Sequence, residues 1–150
     1  MTVWIDDSLL FATSDEMMDH MKNTLHSEWQ ITDLGEPTKI IGIEINHTPN
    51  SINISQQKYI ENLLEKEGMA NANPIAVPMD PNLKLSPNHS NSYVKLLGSL
   101  QFVANSMRLD ISYAVNKLAI YTANPGLQHH STLKWVLRYL VGTKTLGVAY

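Results

Sequence analysis

Thr2-Val3-Trp4-Ile5-Asp6-Asp7-Ser8-Leu9-Leu10-Phe11 sets two adjacent carboxylates between two short apolar stretches. Residues 2–5 and 9–11 are β-prone and read as the arms of a β-hairpin, with Asp6 and Asp7 at or near its tip. Paired carboxylates on a rigid turn suit a hard cation such as Mg²⁺, which takes oxygen ligands and keeps waters for phosphate groups. A bare Asp-Asp pair is also an ordinary turn, so its surroundings decide the chemistry.

Downstream, Thr13 and Glu16 have the T-x-x-E spacing of a capping box. Met18, Met21, Leu25 and Trp29 recur at helical spacing, which predicts an amphipathic helix to about Glu28. Met17, Met18 and Met21 read as core filler. Residues 30–34 read as a short strand ended by Gly35-Glu36-Pro37. Residues 39–47 carry the strongest strand pattern, Ile40, Ile41, Ile43 and Ile45, with Gly42 inside it. A glycine there predicts a bulge or a close approach of the backbone to a ligand. Thr48-Pro49-Asn50-Ser51 is a turn, and Ile52 and Ile54 alternate in a return strand, giving a second hairpin. Ser55 is placed to cap a helix with Ile60, Leu63 and Leu64 on one face and Gly68 at its end.

Residues 69–91 hold four of the seven prolines and read as an irregular connector. Three helices are predicted beyond it. Val94, Leu97, Leu100 and Ala104 line the first; Ile111, Val115, Leu118 and Ala119 the second; Leu133, Val136, Leu137 and Leu140 the third. Residues 145–150 begin a strand. The expected organisation is α+β: residues 1–68 with two hairpins and helices, a connector over 69–91, and an all-helical segment over 92–150.

At 150 residues the chain has the length of one domain, and 43% hydrophobic with 17% charged residues fits a folded protein. No apolar run reaches the roughly 18 residues of a membrane span. The opening stretch, cut by Asp6 and Asp7, does not read as a secretory leader. The absence of cysteine excludes disulfides, thiol nucleophiles and thiolate-bound zinc, and leans toward an intracellular, cytoplasmic setting. The net charge of −3 hides an asymmetry. Residues 1–80 carry thirteen acidic and four basic side chains, a formal −9; residues 81–150 carry one acidic and seven basic, a formal +6. Such asymmetry is a hint of an anionic partner for the basic half, although charge alone favours two ordinary solvated faces.

Trp4-Ile5-Asp6-Asp7 resembles the Y-V-D-D hairpin of reverse transcriptases, and the segments after it agree in order and spacing. Asp33-Leu34-Gly35-Glu36, Ile41-Gly42-Ile43-Glu44-Ile45, Ile54-Ser55-Gln56, Tyr59-Ile60, Leu63-Leu64, Gly98-Ser99-Leu100, Asn124-Pro125 and Arg138-Tyr139-Leu140 look like the polymerase of copia-type LTR retrotransposons. The resemblance runs over residues 4–150. It implies a parent RNA-directed DNA polymerase using Mg²⁺ on a primer–template RNA/DNA hybrid. On that resemblance, residues 1–68 are the end of a palm and residues 92–150 a thumb and connection. Asp6 would hold metal and act in catalysis, with Asp7 its weaker neighbour. The hairpin at Ile41-Gly42 would be the primer grip, and the helix over 93–105 a thumb helix in the duplex groove. Gly98 and Phe102, four apart, would share its groove face. Lys95, Arg108, Lys117, Lys134 and Arg138 are the candidate phosphate contacts.

Other readings stand beside these. Phe102 also fits a core position, Lys134 and Arg138 a solvated helix face, and His129-His130 a helix start. The family's third palm aspartate and its nucleotide pocket are expected upstream of Met1, so the chain by itself is expected to be inactive as a polymerase. Trp4 stands where the family has Tyr, and Leu109 where it has Pro. The alternatives are a nucleic-acid-binding module without chemistry, and a structural or decayed transposon-derived protein. Strand edges within residues 1–55 would favour self-association in the last case.

Overall fold

The structure is a computed structural model that describes residues 1–5, 7–80 and 92–150. It divides into two units, Met1–Thr38 and Lys39–Tyr150.

In the first unit, strands β1 (Thr2–Trp4) and β2 (Asp7–Leu9) pair antiparallel, with Trp4 opposite Asp7. Asp7 therefore opens the second strand, near the tip as expected. Ile5 enters the turn at φ +52°, a left-handed conformation that β-branched residues rarely adopt. Helix α1 (Asp15–Glu28) follows. Its N-cap is Ser14, whose hydroxyl accepts from the Met17 N–H at 3.3 Å, one residue later than the expected Thr13 box. No α1 residue is buried, and Met17 is exposed, so these methionines are not core filler. The expected strand over 30–34 is absent: the Asp33 carboxylate accepts from the Gly35 N–H at 2.8 Å and pairs with Lys22 at 2.8 Å. An aspartate bonding its own backbone two residues on makes a turn.

The second unit holds a four-stranded antiparallel sheet in the order β3 (Lys39–Ile40), β4 (Ile43–Thr48), β5 (Ser51–Ser55), β6 (Gly147–Ala149). The isoleucine-rich run is thus two strands joined by a turn, not one strand with a bulge. β4 and β5 close across Pro49-Asn50 in the expected register, Thr48 opposite Ser51. β6 comes from the far end of the chain and pairs Val148 with Ile54. A Cβ at Gly147 would lie 2.5 Å from the Ile54 carbonyl oxygen, so only glycine lets β6 come this close.

Helices α2 (Gln57–Lys66), α3 (Ser92–Ser106), α4 (Ser112–Ala119) and α5 (Leu127–Thr143) pack their apolar faces together. Leu64, Leu97, Leu100, Leu118, Leu137 and Leu140 are buried in this core. Each such side chain contributes about 2 kcal/mol by leaving water. A Schellman motif ends α2: Gly68, at φ +66°, donates to the Glu65 carbonyl, and Met69 donates to the Leu64 carbonyl at 2.7 Å. The described part of the connector lies along α5. The Trp135 indole donates to the Val77 carbonyl at 2.8 Å, and Met79 is buried. The connector residues 81–91 lie outside the described residues. The division at Thr38/Lys39 differs from one drawn at the connector, because residues 39–68 share a sheet with β6 and a core with α3–α5.

Candidate nucleic-acid interface

Ile40 pairs with Ile43, leaving a two-residue turn at Ile41 and Gly42. Their φ values, +48° and +75°, are both positive, as a type I′ hairpin turn requires. Glycine meets that demand without cost; isoleucine at the first position is strained. The conformation alone therefore explains Gly42. A Cβ there would meet the Phe102 ring at 3.5 Å and the Tyr59 ring at 3.7 Å, ordinary van der Waals distances. Tyr59 of α2 and Phe102 of α3 meet edge to face with ring centroids 4.9 Å apart. The turn, α2 and α3 thus converge on two rings, and Ile41 at the tip is 38% exposed.

Glu44 fixes the base of this hairpin to α2. Its carboxylate accepts from the Lys58 N–H at 3.1 Å and from the Ser55 hydroxyl at 3.4 Å. An acceptor at the first turn satisfies a donor that the helix leaves open. The capping role expected of Ser55 is therefore filled by a residue on the neighbouring strand, while Gln56, the N-cap residue, has no side-chain cap bond.

On α3, Lys95, Gly98 and Phe102 follow one another at spacings of three and four and share a face. Lys95 and Gly98 are exposed, and nothing lies within 4 Å of a Cβ at Gly98. Phe102 is half-buried on Tyr59, so its ring serves both packing and this face.

Arg108 is not on a surface. It is 3% exposed, and its guanidinium donates to both Asp110 carboxylate oxygens at 3.0 and 2.7 Å. It also donates to the Thr143 carbonyl at 2.8 Å and hydroxyl at 2.6 Å. Its donors are spent on tying the 3₁₀ turn Leu109–Ile111 to the end of α5, and it leaves the set of cations available to phosphate. Asp110 also accepts from the Tyr139 hydroxyl at 2.8 Å. Burial pushes the Asp110 carboxyl up, but the Arg108 and Tyr139 hydrogen bonds outweigh it and hold the group below the usual carboxylate range. Leu109 is exposed.

Of the other cations, Lys134 is exposed on α5, Arg138 donates to the Asn73 carbonyl at 2.7 Å, and Lys117 sits 5.6 Å from the Tyr113 ring centre. His129 is fully buried, and its Nδ1 accepts from the Gly126 N–H at 2.7 Å at the start of α5. Burial holds its imidazole below the usual range. Asp7 is exposed, and Asp6 lies outside the described residues. Among the described residues no group of three His, Asp or Glu side chains is placed to hold a metal ion, so they do not by themselves make a metal centre. No described helix is long and apolar enough to cross a membrane.

The structure thus brings two separate candidates, Gly42 and Phe102, directly together, with a third residue, Tyr59, packed beside both. In the sequence Tyr59 stands out as part of the Tyr59-Ile60 segment of the resemblance, but with no role of its own.

The family model "Reverse transcriptase (RNA-dependent DNA polymerase)" matches residues 1–81. The retrovirus-related Pol polyprotein from transposon RE1 of Arabidopsis thaliana is 34% identical, over 99% of this chain and 10% of that protein. The one from transposon TNT 1-94 of Nicotiana tabacum is 32% identical, over 94% of this chain and 12% of that protein. An uncharacterized mitochondrial protein of Arabidopsis thaliana is 32% identical over 94% of this chain and 60% of its own length. No solved structure matches significantly. The chain belongs to the reverse transcriptase family of copia-type retrotransposons. It spans about a tenth of the length of the Pol polyproteins it matches.

Proposed function

We propose that this chain grips the primer–template duplex, an RNA/DNA hybrid, for a retrotransposon RNA-directed DNA polymerase. The observation that carries the reading is the seating of the Ile41-Gly42 turn on Phe102, beside the open Lys95–Gly98 stretch of α3. A bare backbone and a ring edge track a groove by shape, while lysines meet the phosphates flanking it. Ile41 presents an apolar tip on a strained turn, and strain of this kind collects where a surface must meet a ligand. Lys95 and Lys134 are the cations that would meet phosphate, with Arg138 reaching it only from its connector contact.

Reverse transcriptases work with divalent metal. In this reading Asp6 and Asp7 would contribute oxygen ligands to it in the whole polymerase, but two adjacent carboxylates cannot supply both ends of a two-metal site. The 150-residue chain by itself therefore binds and does not polymerise. Its place of action is that of its template, inside the cell.

Fluorescence anisotropy with a labelled RNA/DNA hybrid tests the binding, and primer extension with dNTPs and Mg²⁺ tests the inactivity. Binding to the hybrid without incorporation is the expected result. No binding at low salt contradicts the grip, and incorporation abolished by Asp6→Asn contradicts the inactivity.

A further inference from the structure

Tyr59 packs beside the place where the two parts of the proposed grip meet. The Phe102 ring lies 3.5 Å, and the Tyr59 ring 3.7 Å, from where a Cβ on Gly42 would be. Tyr59 meets Phe102 of α3 edge to face at 4.9 Å. It follows Lys58, whose N–H is held by Glu44 of the hairpin at 3.1 Å, so the backbone that carries Tyr59 is pinned to β4. The turn it supports has positive φ at both residues and an isoleucine strained at its tip. Two residues of β3 pair with β4, a short ladder to hold such a turn in place.

We propose that Tyr59 is a positioning residue that locks the Ile41-Gly42 turn to the Phe102 face of α3, so that turn and helix meet the duplex as one surface. This rests on the duplex-grip reading above and adds the residue that couples its two halves. Tyr59 acts through Phe102 and Gly42. With the ring in place, the turn cannot move without Phe102, and contacts made by Ile41 and by Lys95 reinforce each other. With the ring gone, the turn keeps its contact with Phe102 but loses its second support, and the reinforcement weakens.

The test is a set of binding constants for the 150-residue chain on a labelled RNA/DNA hybrid at low salt. Ile41→Ala and Lys95→Ala are measured singly and together, in the Tyr59 chain and in Tyr59→Leu, which keeps apolar volume. In the Tyr59 chain the double variant is expected to depart from the product of the single effects; in Tyr59→Leu the departure shrinks. Tyr59→Leu itself weakens binding by about tenfold, the scale of an edge-to-face ring pair, and Tyr59→Phe restores binding and coupling. Thermal unfolding of each variant is read alongside, and if Tyr59→Leu is unfolded, Tyr59→Met takes its place. Wild-type binding with the same coupling in both backgrounds overturns the positioning role and leaves the grip standing. Loss of binding in Tyr59→Phe equal to that in Tyr59→Leu also overturns it, since the hydroxyl would then be the active part. Absence of wild-type binding overturns the grip and this role together.

Discussion

Arg108 reaches across thirty-five positions of sequence to donate to the Thr143 carbonyl at 2.8 Å, while the same guanidinium holds Asp110 with two parallel bonds. The planar fork suits both roles, since two donors clasp a carboxylate and others cap the end of a helix. The carbonyls in the last turn of α5 have no partners within the helix, and that of Thr143 accepts both from Arg108 and from the Leu146 N–H at 3.1 Å.

Arg108→Ala is therefore expected to lower unfolding stability by about 2 kcal/mol, because the Asp110 carboxylate keeps only its Tyr139 hydroxyl partner and the Thr143 carbonyl only the Leu146 N–H. Arg108→Lys recovers only part of this, since an ammonium cannot make the fork. Asp110→Asn costs about 1 kcal/mol, less because the carboxylate is one-third exposed and screened. The folded-state pKa of Asp110 is depressed, so its contribution is present above the unfolded value and lost as pH falls through the folded one. The gap between wild type and Asp110→Asn in urea unfolding should hold at neutral pH and close below about pH 4. A gap unchanged down to about pH 2 would contradict the pairing.

His129 gives a pH dependence at milder acidity. Its imidazole is buried, accepts from Gly126 and tilts against Tyr121 at 4.3 Å, all of which suits the neutral form. Because burial lowers its folded pKa, the unfolded chain takes up the proton first. Stability should therefore fall as pH drops below about 6.5, the unfolded value. His129→Gln, which keeps an acceptor near Gly126, should be less stable at neutral pH and should flatten that fall. Equal slopes for both chains between about pH 7 and pH 5 would contradict this account.

Ile41 offers a trade between stability and binding. Asparagine is at ease in the left-handed conformation that Ile41 adopts at φ +48°. Ile41→Asn should raise unfolding stability by about 1 kcal/mol, the cost of placing a β-branched residue there. It should at the same time weaken hybrid binding by removing the apolar tip. Gly42→Ala, at φ +75°, should destabilise by about 1 kcal/mol, because the methyl fits the space but not the backbone. Thermal unfolding and anisotropy of the two variants read both effects.

These residues also mark how far the fold is legible in the sequence. The β4–β5 hairpin is legible because Pro49-Asn50 is a turn pair with alternating isoleucines on either side. The α3–α5 helices are legible from periodic leucines. The turn at Ile41-Gly42 is hidden because an isoleucine sits where asparagine is the usual signal, so the run looks continuous. The Asp33 turn escapes notice because it competes with a strand pattern through one side-chain bond. Arg108 reads as a surface cation because charge patterns do not tell which cations are spent internally; Asp110, two residues on, is the available sign. At the site, Gly42 and Phe102 both stand out in the sequence. Tyr59 and Glu44, which join them to α2, act through contacts between elements that no local pattern encodes.

The most direct test of the duplex grip is the salt dependence of hybrid binding. A protein that neutralises phosphates releases counterions, so log affinity falls linearly with log salt. For this chain the fall should be clear between about 50 and 200 mM salt, and Lys95→Ala should reduce the slope by about one. A slope left unchanged in both Lys95→Ala and Lys134→Ala, or no binding of the hybrid even at the lowest salt, would contradict the account.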